Sequence, residues 1–248
     1  MLRRVDYAEA DRVLTVLTRE HGKVGVMARG VRKSGSRMAS ITDLFTASRM
    51  QLATGRGQLV VLTQAQAAGP GPRLDDPRRA ACAALVAELA DRVLEGDHPL
   101  EEGIFDLVAS ALAACGDIDR DPRAGIAWFA RRMIDRLGYA PELAVCASCG
   151  AELEERPHAF SAAGGGLLCP RCAPGDPGAV ICDVPVIKVM RVIAAGDHGL
   201  FSRLRLSEPV LRTLELVVER ELAMHLDRRL RSLDVLRSLE PAPPGDPG

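Results

Sequence analysis

The residues best placed to do chemistry are four cysteines in two pairs. Cys146-Ala-Ser-Cys149 and Cys169-Pro-Arg-Cys172 are separated by 19 residues. A Cys-x-x-Cys turn sets two thiolates on one side of the chain, and two such turns complete a tetrahedron around Zn²⁺. Gly150 follows the first pair and Gly164-Gly165-Gly166 precedes the second, supplying the tight turns. Four thiolates leave zinc no open position, so a zinc held by Cys146, Cys149, Cys169 and Cys172 is expected to be structural. The alternatives are a metal-free remnant or two disulfides, which reducing conditions disfavour. A zinc deaminase would need a His-x-Glu upstream of Pro-Cys-x-x-Cys. None of His21, His98, His158, His198 or His225 is followed by Glu two residues on, and Leu168 precedes Cys169. No HExxH, GxSxG or Walker A pattern is present, and Gly22-Lys23 is followed by Val24. The sequence therefore offers no catalytic residues. Cys82, Cys115 and Cys182 are solitary and read as buried small side chains.

A second chemistry lies in "ARGVRKSGSR", residues 28–37, which carries Arg29, Arg32, Lys33 and Arg37 among glycines and serines. Such a loop is either a solvated turn or a grip for phosphates. Lys23 and Arg29 alternate onto one face of the preceding segment, Arg12 begins the neighbouring one, and Arg49 and Arg56 lie further along. The net charge of −1 conceals a segregation: residues 1–80 hold 14 Lys+Arg against 7 Asp+Glu, and the rest of the chain is net acidic. That asymmetry favours a polyanion on the N-terminal part. Tyr7 and Phe45 are the only aromatic residues in that part, so cations rather than rings are expected to supply the affinity. Contact with roughly four to six phosphates gives a single-strand salt slope of about −3 to −4.

These residues need elements to position them. "RVLTVLT" (12–18), "KVGVMAR" (23–29), "TASRMQLA" (46–53) and "GQLVVLTQ" (57–64) read as short strands with Gly-containing turns. In the second, Val24, Val26 and Ala28 face one way while Lys23, Met27 and Arg29 face the other, as in a small barrel. The 12–18 strand is apolar on both faces, so something must cover its outer side. After the linker "GPGP" (69–72) the texture turns helical. Asp76-Pro77 starts a helix running to about Glu95, a second spans roughly Leu100 to Cys115, and Asp121-Pro122 starts a third that stops at Gly138. Beyond the cysteines come helices at 184–195 and from Ser207-Glu208-Pro209 to about Leu230, and the tail "PAPPGDPG" has nothing to pack. The expected fold is α+β, an N-terminal barrel over 1–70 and a helical domain over 71–240 with a zinc-binding insert at about 144–175. Residues 241–248 are expected to form a disordered tail. No run of eighteen uncharged apolar residues and no signal peptide is present, which points to a cytoplasmic protein with no membrane contact.

"EADRVLTVLTREHGKVGVMARGVRKSGSR" resembles the N-terminal signature of the RecO family of bacterial recombination mediators and DNA-repair proteins. "GRGQLVVLTQAQ" is similar to that family's last barrel strand, and the four-cysteine insert and "HLDRRLRSLDVL" fall where the family has counterparts. The resemblance implies an OB-fold barrel followed by a helical domain with a zinc subdomain. It implies binding of single- and double-stranded DNA, annealing of complementary strands, and partnership with RecR and the single-stranded-DNA-binding protein. With these the family helps load RecA onto coated DNA at the nucleoid during repair. The family's DNA site would fall here on the Arg29 to Arg37 loop and its strands, and its zinc ligands on Cys146, Cys149, Cys169 and Cys172. One departure is the short stretch before "EADR", which implies a truncated first strand or a start lying upstream. The rival readings are a zinc-ribbon RNA-binding or transcription-associated module and a zinc-dependent nucleic-acid enzyme.

Overall fold

The computed structural model describes residues 1–36, 38–55, 57, 59–94, 101–226 and 229–239. Candidates Arg37 and Arg56, the start of the second expected helix at Leu100, and the 241–248 tail lie outside them. By its contacts the chain forms two compact units, Met1–Pro122 with Leu230–Gly248, and Arg123–Arg229.

In the first unit, β1 (Arg3–Tyr7), β2 (Asp11–Thr18) and β3 (Gly22–Ala28) form an antiparallel meander. The short helix α1 (Met38–Ile41) leads to β4 (Ser48–Ala53) and β5 (Val60–Ala67). β5 pairs parallel with β3 and antiparallel with β4, giving the strand order β1-β2-β3-β5-β4. The two edges of this sheet meet through backbone at Met1. Its amino group donates to the Thr46 carbonyl at 3.0 Å, and its carbonyl accepts from Phe45 N at 3.1 Å. β1 is short and all five of its residues are exposed, so the barrel is partly open along that seam.

Alternation sets what the barrel buries. Leu14, Val16, Val26, Ala28, Val31 and Leu62 pack inside, with Met1 closing one end. Leu17 is buried without joining that cluster. It lies on the outer face with Lys23 and Arg3, and both of those reach Asp91 of helix α2 (Pro77–Val93). The cover expected for β2 is thus the last turn of α2. Asp76 caps α2, accepting from Arg78 N at 2.9 Å with Pro77 at the first position.

The helix expected to run to about Leu230 stops at His225, and a separate, unexpected helix follows it. α7 (Glu208–His225) ends with Leu226 in extended conformation, and α8 (Arg231–Ser238) returns to the first unit. The carboxylate of Glu88 in α2 starts α8 by accepting from Arg231 N at 3.1 Å, Ser232 N at 2.8 Å and Ser232 Oγ at 2.6 Å. Burial pushes that carboxyl up, but these donors and Arg92 outweigh it and hold Glu88 below its ordinary value. Helix α3 (Ile104–Gly116) packs against α2, and Arg79 gathers the Cys115 and Asp117 carbonyls at its end.

The second unit holds α4 (Pro122–Arg136), the sheet β6 (His158–Ser161), β7 (Gly166–Leu168) and β8 (Val180–Cys182), then α5 (Val184–Ala194), α6 (His198–Phe201) and α7. Gly138, at φ +88°, stops the chain just past α4. Ile126, Phe129 and Met133 are buried, whereas Leu137 lies past the helix end and is exposed. Arg131 is buried and fully engaged, by Glu221, by Asp135 at 2.8 Å and by the Tyr139 carbonyl at 2.6 Å. Cys82, Cys115 and Cys182 are all buried.

Candidate nucleic-acid interface and metal centre

The thiols of Cys146, Cys149, Cys169 and Cys172 lie within 4.8 Å of one another, and Cys149 Sγ is 3.8 Å from Cys169 Sγ. Zn–S bonds of about 2.3 Å give a tetrahedron whose edge is about 3.8 Å, so this donor set fits a zinc-sized ion. Each knuckle is made by backbone. Gly150 N donates to the Cys146 carbonyl at 2.8 Å, with Gly150 at φ +73°, while Cys172 N and Ala173 N both donate to the Cys169 carbonyl at 2.9 Å. The knuckles are tied together as well. Cys169 N donates to Cys146 Sγ at 3.3 Å, and Ala147 N to the Leu167 carbonyl at 2.8 Å. Backbone N–H groups of Cys169 and Cys149 pull the Cys146 thiol down to about 6, toward the thiolate a metal requires. Gly166 is where Glu142 crosses β7. A Cβ there would lie 2.3 Å from the Glu142 carbonyl oxygen, so only glycine permits that crossing.

The basic residues fall into two places. Arg29 and Lys33 are exposed at the loop end of β3. Arg12 Nε donates to Asp6 at 3.1 Å, and Arg32 Nε is 3.5 Å from the other oxygen of the same carboxylate. Arg32 N also donates to the Ala10 carbonyl at 3.0 Å, and Gly30 N to Asp11 Oδ1 at 2.8 Å. The β1–β2 turn therefore clamps the basic loop, and Asp6 holds two arginines side by side. Lys23 stands at the opposite end of β3, 3.2 Å from Asp91 Oδ1 and only 17% exposed in its side chain. Arg12 and Arg32 thus meet on Asp6, Arg29 and Lys33 lie at the same end of the barrel, and Lys23 stands apart. Arg49 is exposed on β4.

Two acids that shape the loop, Asp6 and Asp11, escaped the sequence reading. Their signal is strand alternation: in "RRVDY" the residue opposite Arg12 is Asp6, and Asp11 sits where the β1–β2 turn enters β2. The same alternation sends Val5 and Tyr7 outward, where they are 51% and 57% exposed.

Fold and site together define a class, an OB-type barrel joined to helices that carry a four-cysteine subdomain able to hold a metal ion. The family model described as Recombination protein O N terminal matches residues 1–70, and that described as Recombination protein O C terminal matches residues 74–234. Relatives that bear the name DNA repair protein RecO include the following three. That of Symbiobacterium thermophilum is 32% identical over 96% of this chain and 96% of its own length. Those of Roseiflexus sp. strain RS-1 and Anaeromyxobacter dehalogenans strain 2CP-C are 35% and 34% identical, over 100% and 97% of this chain and 88% and 95% of theirs. The chain belongs to the RecO family of DNA repair proteins. Among the described residues no helix is long and apolar enough to cross a membrane.

Proposed function

We propose that this protein is a non-enzymatic recombination mediator that binds single- and double-stranded DNA and anneals complementary strands. The reading extends to helping load RecA onto DNA coated by the single-stranded-DNA-binding protein, with RecR as a further partner, in the cytoplasm at sites of repair. The observation that carries the DNA-binding part is the cluster of Arg12, Arg29, Arg32 and Lys33 at one end of the barrel, beside family membership. Phosphate contacts position a strand without reading its bases. That suits annealing, in which base edges must stay free to pair. A zinc ion held by Cys146, Cys149, Cys169 and Cys172 would fasten the subdomain as a structural ion, since four thiolates leave no position for water or substrate.

The clamp by Asp6 and the separation of Lys23 lower the number of phosphates that the described cations can reach to about three or four. The single-strand salt slope expected from these is about −2 to −3. Titration of mixed-sequence oligomers at several salt concentrations measures it. Arg32→Glu with Lys33→Glu should weaken binding to every oligomer while lowering the melting temperature by a few degrees at most, because the Arg32–Asp6 pair is solvent-exposed and worth about 0–1 kcal/mol. A double variant that binds like the wild type, or an affinity that barely responds to salt, overturns the reading.

A further inference from the structure

The outer face of the barrel differs at its two ends. Toward α2 it is covered: Leu17 is buried, Lys23 is held by Asp91, and the Leu59 side chain packs so closely over Gly25 that a Cβ there would lie 2.7 Å from Leu59 Cδ2. Toward the basic loop it is open. The pairing of Val5 with Val13, Val13 with Met27 and Met27 with Val61 draws an apolar row across four strands. One step further along, Tyr7 pairs with Asp11, and continuing the β2–β3 register places Arg29 in the same row. Tyr7 and Arg29 are then two strand spacings apart, about 10 Å, and the valine–methionine row lies about 7 Å behind them.

We infer that this open end is a base-stacking subsite for single-stranded DNA, with the Tyr7 ring as its platform. The inference rests on the DNA-binding function proposed above and adds to it the strand form that the site prefers. An apolar strip on a sheet face, bordered by cations, matches an unpaired strand, whose bases need an apolar surface while its backbone needs positive charge. Arg29 and Lys33 meet the backbone. Asp11, the acid within the row, accepts from Gly30 N and so is committed to the loop instead of facing the ligand. A duplex keeps its bases stacked on each other and has no free π-face to offer, so Tyr7 contributes to single strands alone. Stacking accepts every base, which keeps the subsite compatible with weak sequence preference.

The test uses the full chain and fluorescence anisotropy with a mixed-sequence single strand and a duplex of equal length. Tyr7→Ala should weaken single-strand binding about fivefold or more, the loss expected for one stacked base. Duplex affinity and salt slope should stay as in the wild type, and Tyr7→Phe should bind like the wild type because it keeps the ring. The inference is overturned if Tyr7→Ala leaves single-strand binding intact, if it weakens both forms equally, or if Tyr7→Phe loses as much as Tyr7→Ala. The Arg32→Glu, Lys33→Glu variant separates this outcome from failure of the underlying function. If that variant still binds DNA like the wild type, the phosphate grip itself is wrong.

Discussion

Replacing Cys146 and Cys169 together by serine removes one ligand from each knuckle and tests what the thiol cluster holds. On the knuckle side of the small sheet, the buried residues besides these two ligands are Ala159 and Leu168. Burying one leucine and one alanine contributes about 3 kcal/mol, whereas structural zinc contributes about 10–16 kcal/mol near neutral pH. The knuckles should therefore lose most of their stability when the metal site is destroyed. The opposite side of the sheet should fare better, because Phe160, Leu167 and Val180 are buried and β8 contacts α5 and α7. Hydrogen exchange read residue by residue provides the assay, paired with metal content measured after dialysis under reducing conditions. Amides of Ala147, Gly150, Cys172 and Ala173 should lose protection in the double variant while those of α4 and α7 keep theirs. The reasoning is refuted if the wild-type protein carries no stoichiometric zinc, or if the double variant protects those four amides as well as the wild type does.

Glu88→Ala should lower the melting temperature by several degrees, since losing a helix cap costs about 0.5–2 kcal/mol, and should deprotect α8 amides first. Because the Glu88 carboxyl is held below its ordinary value, its contribution is complete above about pH 4.5 and is lost as pH falls through the depressed value. Acid melts of wild type and Glu88→Ala should converge there. Arg131→Met alone should destabilise by about 3–5 kcal/mol by stranding Glu221 in the interior, whereas adding Glu221→Leu should recover much of the loss in denaturant titrations.

The parts legible in the sequence are those fixed by local chemistry. Alternation in 23–29 gave the inward Val26 and Ala28, Asp76-Pro77 marked the start of α2, and the spacing of two cysteine pairs led to four thiols that converge. What escaped depends on partners distant in the chain. Lys23 looks like a member of the basic cluster until Asp91, 68 residues on, takes its charge. The break between α7 and α8 has no glycine or proline to announce it, because the cap that starts α8 comes from Glu88, more than 140 residues earlier. Tyr7 is one of only two rings in the N-terminal part, and the count of rings does not show that it stands exposed at the open end of a sheet face.

The return of α8 to the first unit also has a consequence in time. During synthesis the barrel, α2 and α3 emerge first, but the helix that Glu88 caps follows only after Arg123–Arg229 has been made. At about 5–20 residues per second that interval lasts about 5–20 s. At the end of that interval the second unit has all of its chain while the first, begun earlier, still lacks a helix. The later unit is thus free to finish folding before the earlier one. A ribosome that stops just short of Leu230 releases a polypeptide whose cysteine subdomain is whole and whose barrel unit has an open seam along α2. Such a product would present that uncovered surface to chaperones and proteases, so α8 is the element whose arrival closes the first unit.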